Sequence, residues 1–351
     1  MVRFAVMADS RSSLSIPNTS APVSDGPADW QAALADAVRD PAELCRLLRL
    51  DPSLAAAAAG AAEAFALLVP RPFVERITPG DPRDPLLLQV LPQAAELTPT
   101  PGFSADPLGE AAMADPLGRL SKYPGRSLIV ATGRCGVHCR YCFRRHYPYG
   151  QNDAGPTRWD ELVRAVSADR SLDEVILSGG DPLTLDDGRL AELAEQLAAI
   201  PHLRRLRVHS RMPVVIPQRV TQGLLKVLRG TRLTPIVVLQ VNHPAEIDDA
   251  VAAATARLVD AGVPVLSQSV LLRGVNDSAD VLAELCRRLI DLRVMPYYLH
   301  QLDRVAGAAA FEVPESTGAA LIDQLRRRLP GYAVPRYVRE TPKASCKRPL
   351  A

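Results

Sequence analysis

Lysine is scarce in this sequence. The chain has 351 residues and 41 basic side chains, but only four of them are lysines, at positions 122, 226, 343 and 347. Two of these four lie within the last nine residues. Any chemistry that requires a lysine amine therefore has few candidates.

A surplus of charge of one sign is also missing. The 41 basic residues are nearly balanced by 39 acidic ones, which leaves a formal net charge of +2. A charge this small cannot supply a broad phosphate-binding surface. We therefore do not expect nucleic acid as a principal partner.

Long hydrophobic runs are absent. The longest apolar tract, residues 54–69, is rich in alanine and is interrupted by Glu63, and it is shorter than the roughly 20 residues that a membrane span needs. Residues 1–8 do not resemble an export signal, because their apolar run is too short. We expect a cytoplasmic protein without a membrane partner, in which residues 54–69 form a packed helix.

The chain contains six cysteines. A chain of this length does not need disulfide bonds for stability, and clustered cysteines in an enzyme-sized chain more often bind metal. Three cysteines fall within eight residues, whereas Cys45, Cys286 and Cys346 are scattered. We interpret Cys45 and Cys286 as core thiols and assign no role to Cys346.

The amino-terminal third divides into two parts. Residues 1–28 are poor in large apolar side chains over most of their length, which predicts a flexible tail. Residues 29–125 begin with helical apolar spacing at Trp30, Leu34 and Val38 and continue as a segment rich in proline and glycine. This composition predicts helices followed by an irregular segment that wraps around the next domain.

Residues 126–330 alternate short apolar runs with longer amphipathic stretches. Six repeats of this kind predict an α/β fold with a parallel sheet, and six are too few for a closed eight-fold barrel, so we expect an open, partial one. The runs are residues 127–131, 174–177, 205–209, 236–241, 263–267 and 294–299, and the helical patterns are residues 158–168, 188–199, 217–229, 245–261, 279–292 and 315–329. Polar motifs follow each run, and we expect them to meet at the carboxyl ends of the strands.

Cys135, Cys139 and Cys142 follow the first run with the spacing Cys-x3-Cys-x2-Cys. Three thiolates can hold a four-iron cluster and leave one iron open for another ligand. A zinc site is the alternative, with His138 or His146 as its fourth ligand.

The string Ser178-Gly179-Gly180-Asp181 follows the second run and is ended by a proline. Its glycines allow the backbone to approach a ligand closely. The alternative interpretation is a tight turn between a strand and a helix, in which the aspartate and proline stop the strand.

The cysteine triplet resembles the signature of radical S-adenosylmethionine (SAM) enzymes. Longer strings at residues 209–221, 240–244, 268–277, 296–303 and 331–335 are similar to the lysine 2,3-aminomutase family, and the resemblance extends from about residue 30 to the end. It implies a partial (β/α)6 radical SAM barrel, a [4Fe-4S] cluster on the triplet, and SAM as cofactor. The implied SAM contacts are Ser178, Gly179, Gly180, Asp181, Gln240 and Gln268.

The same resemblance implies pyridoxal 5′-phosphate (PLP), bound as a Schiff base to a lysine. The family's lysine stands two residues before a proline, which Lys347 and Pro349 match. We therefore predict that residues 331–351 form a PLP-binding segment with Lys347 as the catalytic lysine. Lys122, Arg211 and Arg219 are the candidates for the cofactor phosphate.

The resemblance also assigns residues to a lysine substrate. Asp303 and Glu340 match positions that hold its ε-ammonium group, and such charge-assisted contacts are strong where water is sparse. Arg144, two residues after the last cysteine of the triplet, matches the position that holds the substrate carboxylate with a planar guanidinium. An enzyme for an acidic substrate would lack the two carboxylates, so their presence favours lysine.

Within the family, the strings resemble the branch that makes β-lysine for the modification of translation elongation factor P. That branch carries glutamate at the position of Glu340, and only four residues follow Lys347, whereas catabolic members have an extension with zinc-binding cysteines. The resemblance implies (R)-β-lysine as product, an elongation factor P lysyl ligase as its consumer, and a reductant such as flavodoxin or ferredoxin. Two alternatives stay open, a catabolic or osmolyte-forming aminomutase and a non-catalytic iron–sulfur sensor or electron carrier.

Overall fold

The computed structural model describes residues 28–115, 117–152, 158–342 and 344–351. The predicted tail therefore lies outside the described residues except for its last position. Fourteen α-helices occur in the described ranges: α1 Ala28–Ala35, α2 Pro41–Leu47, α3 Pro52–Ala64, α4 Arg71–Val74, α5 Pro85–Leu88, α6 Glu110–Met113, α7 Tyr149–Asn152, α8 Trp159–Ala168, α9 Asp187–Ala198, α10 Met212–Val215, α11 Gln222–Arg229, α12 Asp249–Asp260, α13 Ala279–Asp291 and α14 Glu315–Arg328.

Nine strands form one sheet in the described part of the chain. They are β1 Arg119–Tyr123, β2 Arg126–Thr132, β3 Glu174–Gly179, β4 Arg205–Ser210, β5 Thr234–Gln240, β6 Val265–Val270, β7 Met295–His300, β8 Arg336–Arg339 and β9 Arg348–Pro349. Neighbours in sequence are neighbours in the sheet. The pairs from β2 to β8 are parallel, and β1 and β9 add antiparallel edges.

This topology confirms the predicted partial barrel. Between β2 and β8, each of the six repeats passes from a strand through a helix to the next parallel strand. Within the described ranges, no strand pairing joins the edges β1 and β9, so the barrel is open. Because all parallel strands point the same way, the loops that follow them gather at one end.

Local sequence chemistry sets the helix limits. Helix α11 begins after Thr221, whose side-chain oxygen accepts a hydrogen bond from the backbone N–H of Leu224, and the helix buries Leu224, Leu225 and Leu228 against the sheet. Such a cap stabilises a helix by about 1 kcal/mol. Helices α9, α12 and α13 are capped in the same way by Asp186, Asp248 and Ser278.

The six predicted strands are confirmed, but three strands escaped prediction. The edge strand β1 reads Arg-Leu-Ser-Lys-Tyr and buries only Leu120, so it lacks the apolar run that marked the central strands. Strand β8 has four residues and β9 has two. Strands this short and polar carry little sequence signal.

The predicted helix at residues 54–69 is also corrected. Helix α3 ends at Ala64, and Phe65 has extended backbone angles. Farther on, Val69 pairs with Val38 through two backbone hydrogen bonds of 2.8 and 2.9 Å. A long-range backbone pairing therefore replaces the last helical turn that the apolar composition suggested.

The amino-terminal segment and the barrel share one hydrophobic core. Trp30, Val38 and Phe73 belong to the same buried cluster as Ile129 and Val237 of the sheet. The segment therefore packs on the barrel and brings its polar side chains to the site described below. None of the described helices has the length and apolarity needed to cross a membrane.

Candidate active site

A cavity of about 800 Å³ lies inside the partial barrel. It runs from the loop after β2 to the carboxyl-terminal segment. Its volume is at the upper end of the range for small-molecule sites. All but one of the predicted site residues line it: Lys122, Cys135, Cys139, Cys142, Arg144, Ser178, Gly179, Gly180, Asp181, Arg211, Gln240, Gln268, Asp303, Glu340 and Lys347. The exception is Arg219.

The three cysteines lie together in the loop after β2. Burial raises the pKa of Cys135 well above its usual value, and the neighbouring thiols of Cys142 and Cys139 raise it further. Burial also raises the pKa of Cys142 to about 11, with Cys139 adding to the shift. Thiols that raise one another's pKa in this way need a bound cation to become thiolates, so this donor set fits a metal cluster.

The cysteine triplet suits a cluster better than a single ion. In the described part of the chain, no three His, Cys, Asp or Glu side chains form a group that could hold one metal ion. In a [4Fe-4S] cluster each thiolate binds a different iron, so three thiolates that share no single ion still fit it. The two histidines considered for zinc each place a ring nitrogen against a backbone oxygen, His138 at Ala66 and His146 at Ala306.

Two glycines bring the loop after β3 against the cysteine loop. Gly179 has a φ of +118°, and a Cβ atom on Gly180 would lie 2.2 Å from the backbone oxygen of Arg134. Only glycine fits this approach. The two loops that were predicted to hold the cluster and SAM are therefore in direct contact.

Asp181 has a role that the sequence did not suggest. Its buried carboxylate accepts hydrogen bonds from the hydroxyl of Ser210 and from the backbone N–H groups of Leu183, Arg211 and Met212. These four donors fill its acceptor positions, so Asp181 ties the loop after β3 to the loop after β4. Asp181 therefore fixes the shape of the loop that is predicted to contact SAM.

Gln240 and Gln268 stand side by side on β5 and β6, as partners in the sheet register. Both line the cavity at the carboxyl ends of their strands. The only side-chain hydrogen bond of Gln240 in the described structure is a long one of 3.5 Å to Asn242. The two amides are therefore available to a ligand that lies over the sheet.

Arg144 is buried in the cavity wall, where Glu110 occupies its guanidinium fork. Arg144 Nε and Nη2 donate to the two carboxylate oxygens of Glu110 at 2.6 and 2.9 Å, and Nη1 donates to Ser178 Oγ at 3.2 Å. Burial would lower the pKa of Arg144, but the charge of Glu110 outweighs it and raises the pKa. A carboxylate thus already lies where the substrate carboxylate was predicted.

A second glutamate of the amino-terminal segment holds the rest of the cysteine loop. Glu96 accepts from Arg140 Nη2 at 2.6 Å and from Arg145 Nη2 at 2.7 Å, and all three side chains are almost fully buried. Arg145 also donates to the backbone oxygen of Gly307. These contacts give Arg145 a structural role.

Both terminal nitrogens of Arg211 are occupied by protein partners, and its Nε is buried without one. Its guanidinium donates to Cys139 Sγ at 2.7 Å, to Tyr141 Oη at 2.8 Å and to Gln89 Oε1 at 2.7 Å, and it pairs with Glu246 at 3.0 Å. The structure therefore places Arg211 beside a cluster cysteine. This corrects its prediction as a phosphate ligand.

Arg219 lies outside the cavity. It is fully buried, donates to the backbone oxygens of Leu183 and Leu185, pairs with Asp187 at 2.8 Å, and packs over the ring of Trp30. Its guanidinium holds the amino-terminal segment against the barrel. The prediction of Arg219 at the phosphate is therefore wrong.

Glu340 joins the two edges of the open barrel. It accepts from Lys122 Nζ at 2.6 Å and also from Tyr123 Oη and Lys347 Nζ. Burial raises its pKa, but Lys347 and Lys122 outweigh this effect and lower the pKa to about 2. The proposed catalytic lysine thus lies over the rings of Tyr123 and Tyr298, held by one ionised carboxylate.

Asp303 is the second carboxyl group at this end of the cavity. Burial raises its pKa to about 7, and Glu340 contributes to the shift. A cation beside such a carboxyl group lowers its pKa, so the ionised form becomes favourable once an ammonium group lies there. The pair of Asp303 and Glu340 therefore provides a site for an ammonium group.

The sequence analysis missed several residues of the cavity. Their charge or hydrogen-bonding capacity could be read from the sequence, but no motif marked them as side chains that point into the cavity. They are Glu110 of α6, Tyr123 of β1, Arg126 of β2, Glu174 of β3, Arg205, Arg207 and His209 of β4, and Tyr297, Tyr298 and His300 of β7. Alternation along the strands is the signal that could have found Arg205, Arg207 and His209.

The residues present fit the cofactors that the sequence implies. The three thiols of the triplet and the amine of Lys347 line the same cavity. Arg126, Arg205 and Arg207 also line it and supply positive charge for a phosphate, and Arg126 has no ion pair within the described ranges and stacks 4.7 Å from the ring of Tyr123. The cavity therefore has suitable side chains for a [4Fe-4S] cluster, for SAM and for PLP.

A cysteine triplet after the first parallel strand of an open barrel, facing a glycine-rich loop, defines a radical SAM enzyme. The family model described as "Radical SAM superfamily" matches residues 129–286. The chain is 46% identical over 323 residues to the L-lysine 2,3-aminomutase of Escherichia coli (strain K12), covering 92% of this chain and 94% of that protein. It belongs to the lysine 2,3-aminomutase family.

Two further relatives show the breadth of this similarity. The L-lysine 2,3-aminomutase of Haemophilus influenzae is 42% identical, with 89% of this chain and 92% of that protein covered. The L-lysine 2,3-aminomutase of Clostridium subterminale is 35% identical, with 92% of this chain and 77% of that protein covered. The family resemblance drawn from the motifs is thus confirmed, and the family implies a [4Fe-4S] cluster and SAM.

Proposed function

We propose that this protein is a PLP-dependent lysine 2,3-aminomutase that converts L-α-lysine to β-lysine. One observation supports it above all: Lys347, Glu340 and Asp303 line the same cavity as the cysteine triplet. An electron carrier or a sensor needs a cluster but has no use for an amine and two carboxylates in the cavity. The open barrel brings these groups within reach of one substrate.

The carboxylates hold the side-chain ammonium group of the substrate in this proposal. Asp303 is buried and becomes ionised above about pH 7, and Glu340 is ionised at any ordinary pH because its pKa is about 2. Two carboxylates around one ammonium ion form charge-assisted hydrogen bonds. A substrate without a terminal cation would leave Asp303 unpaired, which explains selectivity for lysine.

Arg144 orients the other end of the substrate. The guanidinium lies beside Ser178 and is bound by Glu110 along its Nε and Nη2 edge. For a substrate carboxylate to bind there, Glu110 must release part of that edge. Glu110 belongs to the short helix α6 of the wrapping segment, so substrate binding and the position of this helix are coupled.

The protein's part in the chemistry is to place and to shield. The cluster and SAM supply a carbon radical that removes a hydrogen atom, and PLP supplies the carbonyl through which the nitrogen migrates. Cys135, Cys139 and Cys142 would hold the cluster, the loop Ser178–Gly180 and the two glutamines would contact SAM, and Lys347 would hold PLP. The cavity walls would shield that chemistry from water.

The product is proposed to be (R)-β-lysine for the modification of elongation factor P, used by a lysyl ligase. The branch-specific strings of the sequence and Glu340 support this role. Chiral chromatography of the product, followed by incubation with elongation factor P, its ligase and ATP, tests it by mass spectrometry. An S product, or an R product that the ligase does not attach, favours the catabolic or osmolyte-forming alternative.

Anaerobic reconstitution with iron, sulfide, PLP, SAM and a reductant tests the aminomutase reaction itself. We expect β-lysine from the wild type, none from Lys347→Ala, and wild-type activity from Lys226→Ala, since Lys226 is exposed on α11. The visible absorbance of the lysine-bound cofactor should vanish in Lys347→Ala alone. A reductant such as flavodoxin or ferredoxin is the natural electron donor in this proposal. A fully loaded protein that makes no β-lysine overturns the proposal and favours an iron–sulfur sensor or carrier.

A further inference from the structure

Strand β4 presents a row of polar side chains to the cavity. Arg205, Arg207 and His209 all line it, whereas the alternate residues Leu206 and Val208 are buried on the other face. A strand places every second side chain on the same face. The row therefore places two guanidinium groups and then an imidazole in a line along the cavity wall.

Two atoms of this row are buried without a partner. Arg207 Nε and His209 Nε2 have no hydrogen-bond partner in the described structure. The other side of the Arg207 guanidinium is fixed, because Nη2 pairs with Glu174 at 2.6 Å. A buried polar atom without a partner costs about 1–3 kcal/mol. Both atoms are closed off from solvent, but the side chains that carry them line the cavity, so a ligand bound there could satisfy them after a small side-chain rotation.

The surroundings of His209 define what that ligand offers. Burial lowers the pKa of His209 well below its usual value, and nearby cations lower it further: Arg207 on the same strand, Lys347 from the carboxyl-terminal segment, and Arg144 from the cysteine loop, with His300 of β7 acting in the same direction. His209 is therefore a neutral ring with one N–H among positive groups. A neutral imidazole carries one N–H donor and one acceptor nitrogen. Among these positive groups, the N–H donor favours an anionic oxygen as its partner.

The spacing of the row matches the shape of an aromatic phosphate ester. Side chains two residues apart on a strand are separated by about 6.6 Å, comparable to the separation of a phosphate group from the substituents of the pyridine ring in PLP. Arg126 of β2, Glu174 of β3 and Arg205 of β4 lie in one register row next to Arg207. This end of the cavity therefore carries three arginines against one glutamate and favours the phosphate.

We propose that β4 positions PLP at both ends: Arg207 Nε donates to the phosphate, and His209 Nε2 donates to the phenolic oxygen next to the carbon that Lys347 attacks. This inference rests on the proposed function, because it takes PLP as the cofactor. It adds the residues that set the cofactor's orientation. Lys347 fixes one atom of PLP, and the β4 row fixes the plane and direction of its ring.

Binding of PLP and of pyridoxal, which lacks the phosphate, separates the two contacts. The titrations use the protein with its cluster reconstituted and without SAM, lysine or reductant, and they follow the absorbance of the lysine-bound cofactor. We expect Arg207→Gln to weaken the binding of PLP about 100-fold and to leave the binding of pyridoxal as in the wild type. The variant should therefore lose most of the preference for PLP over pyridoxal.

His209→Gln should give the opposite pattern. We expect it to weaken PLP and pyridoxal equally, by about 10-fold, and to keep the preference between them. Loss of a donor to the phenolic oxygen should also raise the pH at which the bound cofactor changes colour, because that oxygen then holds the neighbouring proton more strongly. A change that is merely structural would not move this pH.

Matched controls exist for both positions. His202 also has a buried Nε2 without a partner in the described structure, but it lies outside the cavity, and Arg204 is exposed next to the row. His202→Gln and Arg204→Gln should bind both cofactors as the wild type does. His209→Asn serves as a second variant if His209→Gln loses its cluster or its circular dichroism spectrum.

The outcomes distinguish this inference from the proposed function. If the wild type forms no lysine-bound cofactor that Lys347→Ala abolishes, the proposed function itself fails. If it does, but His209→Gln keeps wild-type affinity and colour change, the assignment of His209 is overturned. A His209 variant that changes only the KM for lysine would place this imidazole at the substrate and would equally overturn the inference.

Discussion

Two carboxyl groups at one end of the cavity differ in how readily they ionise. Glu340 is ionised because two lysines and a tyrosine surround it, whereas Asp303 is buried with less compensation, which raises its pKa to about 7. Two carboxyl groups with separated pKa values commonly mark a functional site. Here the difference predicts both a stability effect and a pH dependence.

Asp303→Asn should stabilise the cofactor-free protein at about pH 8 but not at about pH 4. The pKa of Asp303 is raised from 3.8 to about 7, so the folded state binds a proton more tightly than the unfolded state. The ionised carboxyl group therefore destabilises the fold above about pH 7, and this penalty disappears as the pH falls towards 3.8. Thermal unfolding of both proteins across this pH range measures the effect, and Asp323→Asn on the exposed face of α14 is the control.

The same substitution should weaken lysine binding. Loss of a charge-assisted contact costs about 1.5–3 kcal/mol, so the KM for lysine should rise by about 10- to 100-fold. In the wild type the KM should rise as the pH falls below about 7, because Asp303 then becomes protonated. A pH-independent KM would contradict the placement of the substrate ammonium at Asp303.

Among the structural elements, the amino-terminal segment and the cysteine loop depend on each other. Glu96 lies in the short helix Ala94–Leu97 and binds two arginines of the loop, with only 4% of its side chain exposed. Glu110 of α6 binds a third. Carboxylates from the amino-terminal segment therefore hold the arginines of the cysteine loop in place.

Glu96→Ala should destabilise the protein by about 3–5 kcal/mol, because it leaves two buried guanidinium groups without their partner. Urea denaturation measures this loss, and the iron content after reconstitution should fall with it. Asp36→Ala removes an ion pair to Arg71 that is largely exposed and should change stability little. Equal effects of the two substitutions would contradict the structural role of Glu96.

Gly180→Ala tests the contact between the two cofactor loops. The added methyl group would meet the backbone oxygen of Arg134 at 2.2 Å, so the cysteine loop must move. We expect a lower iron content and weaker SAM binding, whereas Gly331→Ala, where nothing lies within 4 Å, should resemble the wild type. Calorimetric titration with SAM after reconstitution distinguishes the two variants.

In the molecule as a whole, the cysteine triplet and the proposed PLP lysine belong to different parts of one sheet. The loops proposed for the cluster and SAM follow β2 to β6, whereas Lys347 lies between β8 and β9, where it contacts the ring of Tyr123 of β1 and shares Glu340 with Lys122. The open side of the barrel is thus bridged by side chains. This arrangement predicts that the two parts can be separated by truncation.

A chain that ends at residue 343 should keep the cluster and lose PLP. The truncation removes β9 and Lys347, which contribute few buried side chains, so the barrel should retain its iron content and its far-ultraviolet circular dichroism. With a reductant it should still cleave SAM to 5′-deoxyadenosine, without making β-lysine. A parallel loss of iron would show that the carboxyl-terminal segment also supports the cluster end.

The accuracy of the sequence prediction depended on whether the residues that carry the signal are neighbours in the chain. The cysteine triplet and Ser178–Gly180 are continuous strings, so their chemistry could be read directly, and the six central strands carry continuous apolar runs. Arg211 and Arg219 were misplaced because an arginine looks the same wherever its side chain points. Their partners Glu246 and Asp187 follow no fixed spacing from them.

The sequence by itself determined the parallel α/β architecture, the cluster-binding loop and the family, because repeating apolar runs and short motifs encode them locally. Only the tertiary structure decided which charges meet. It placed Glu110 in the fork of Arg144, Glu340 between Lys122 and Lys347, and two unpaired donors of β4 in the cavity. Such contacts join residues that are far apart in the chain, and packing of the shared core, not local propensity, brings them together.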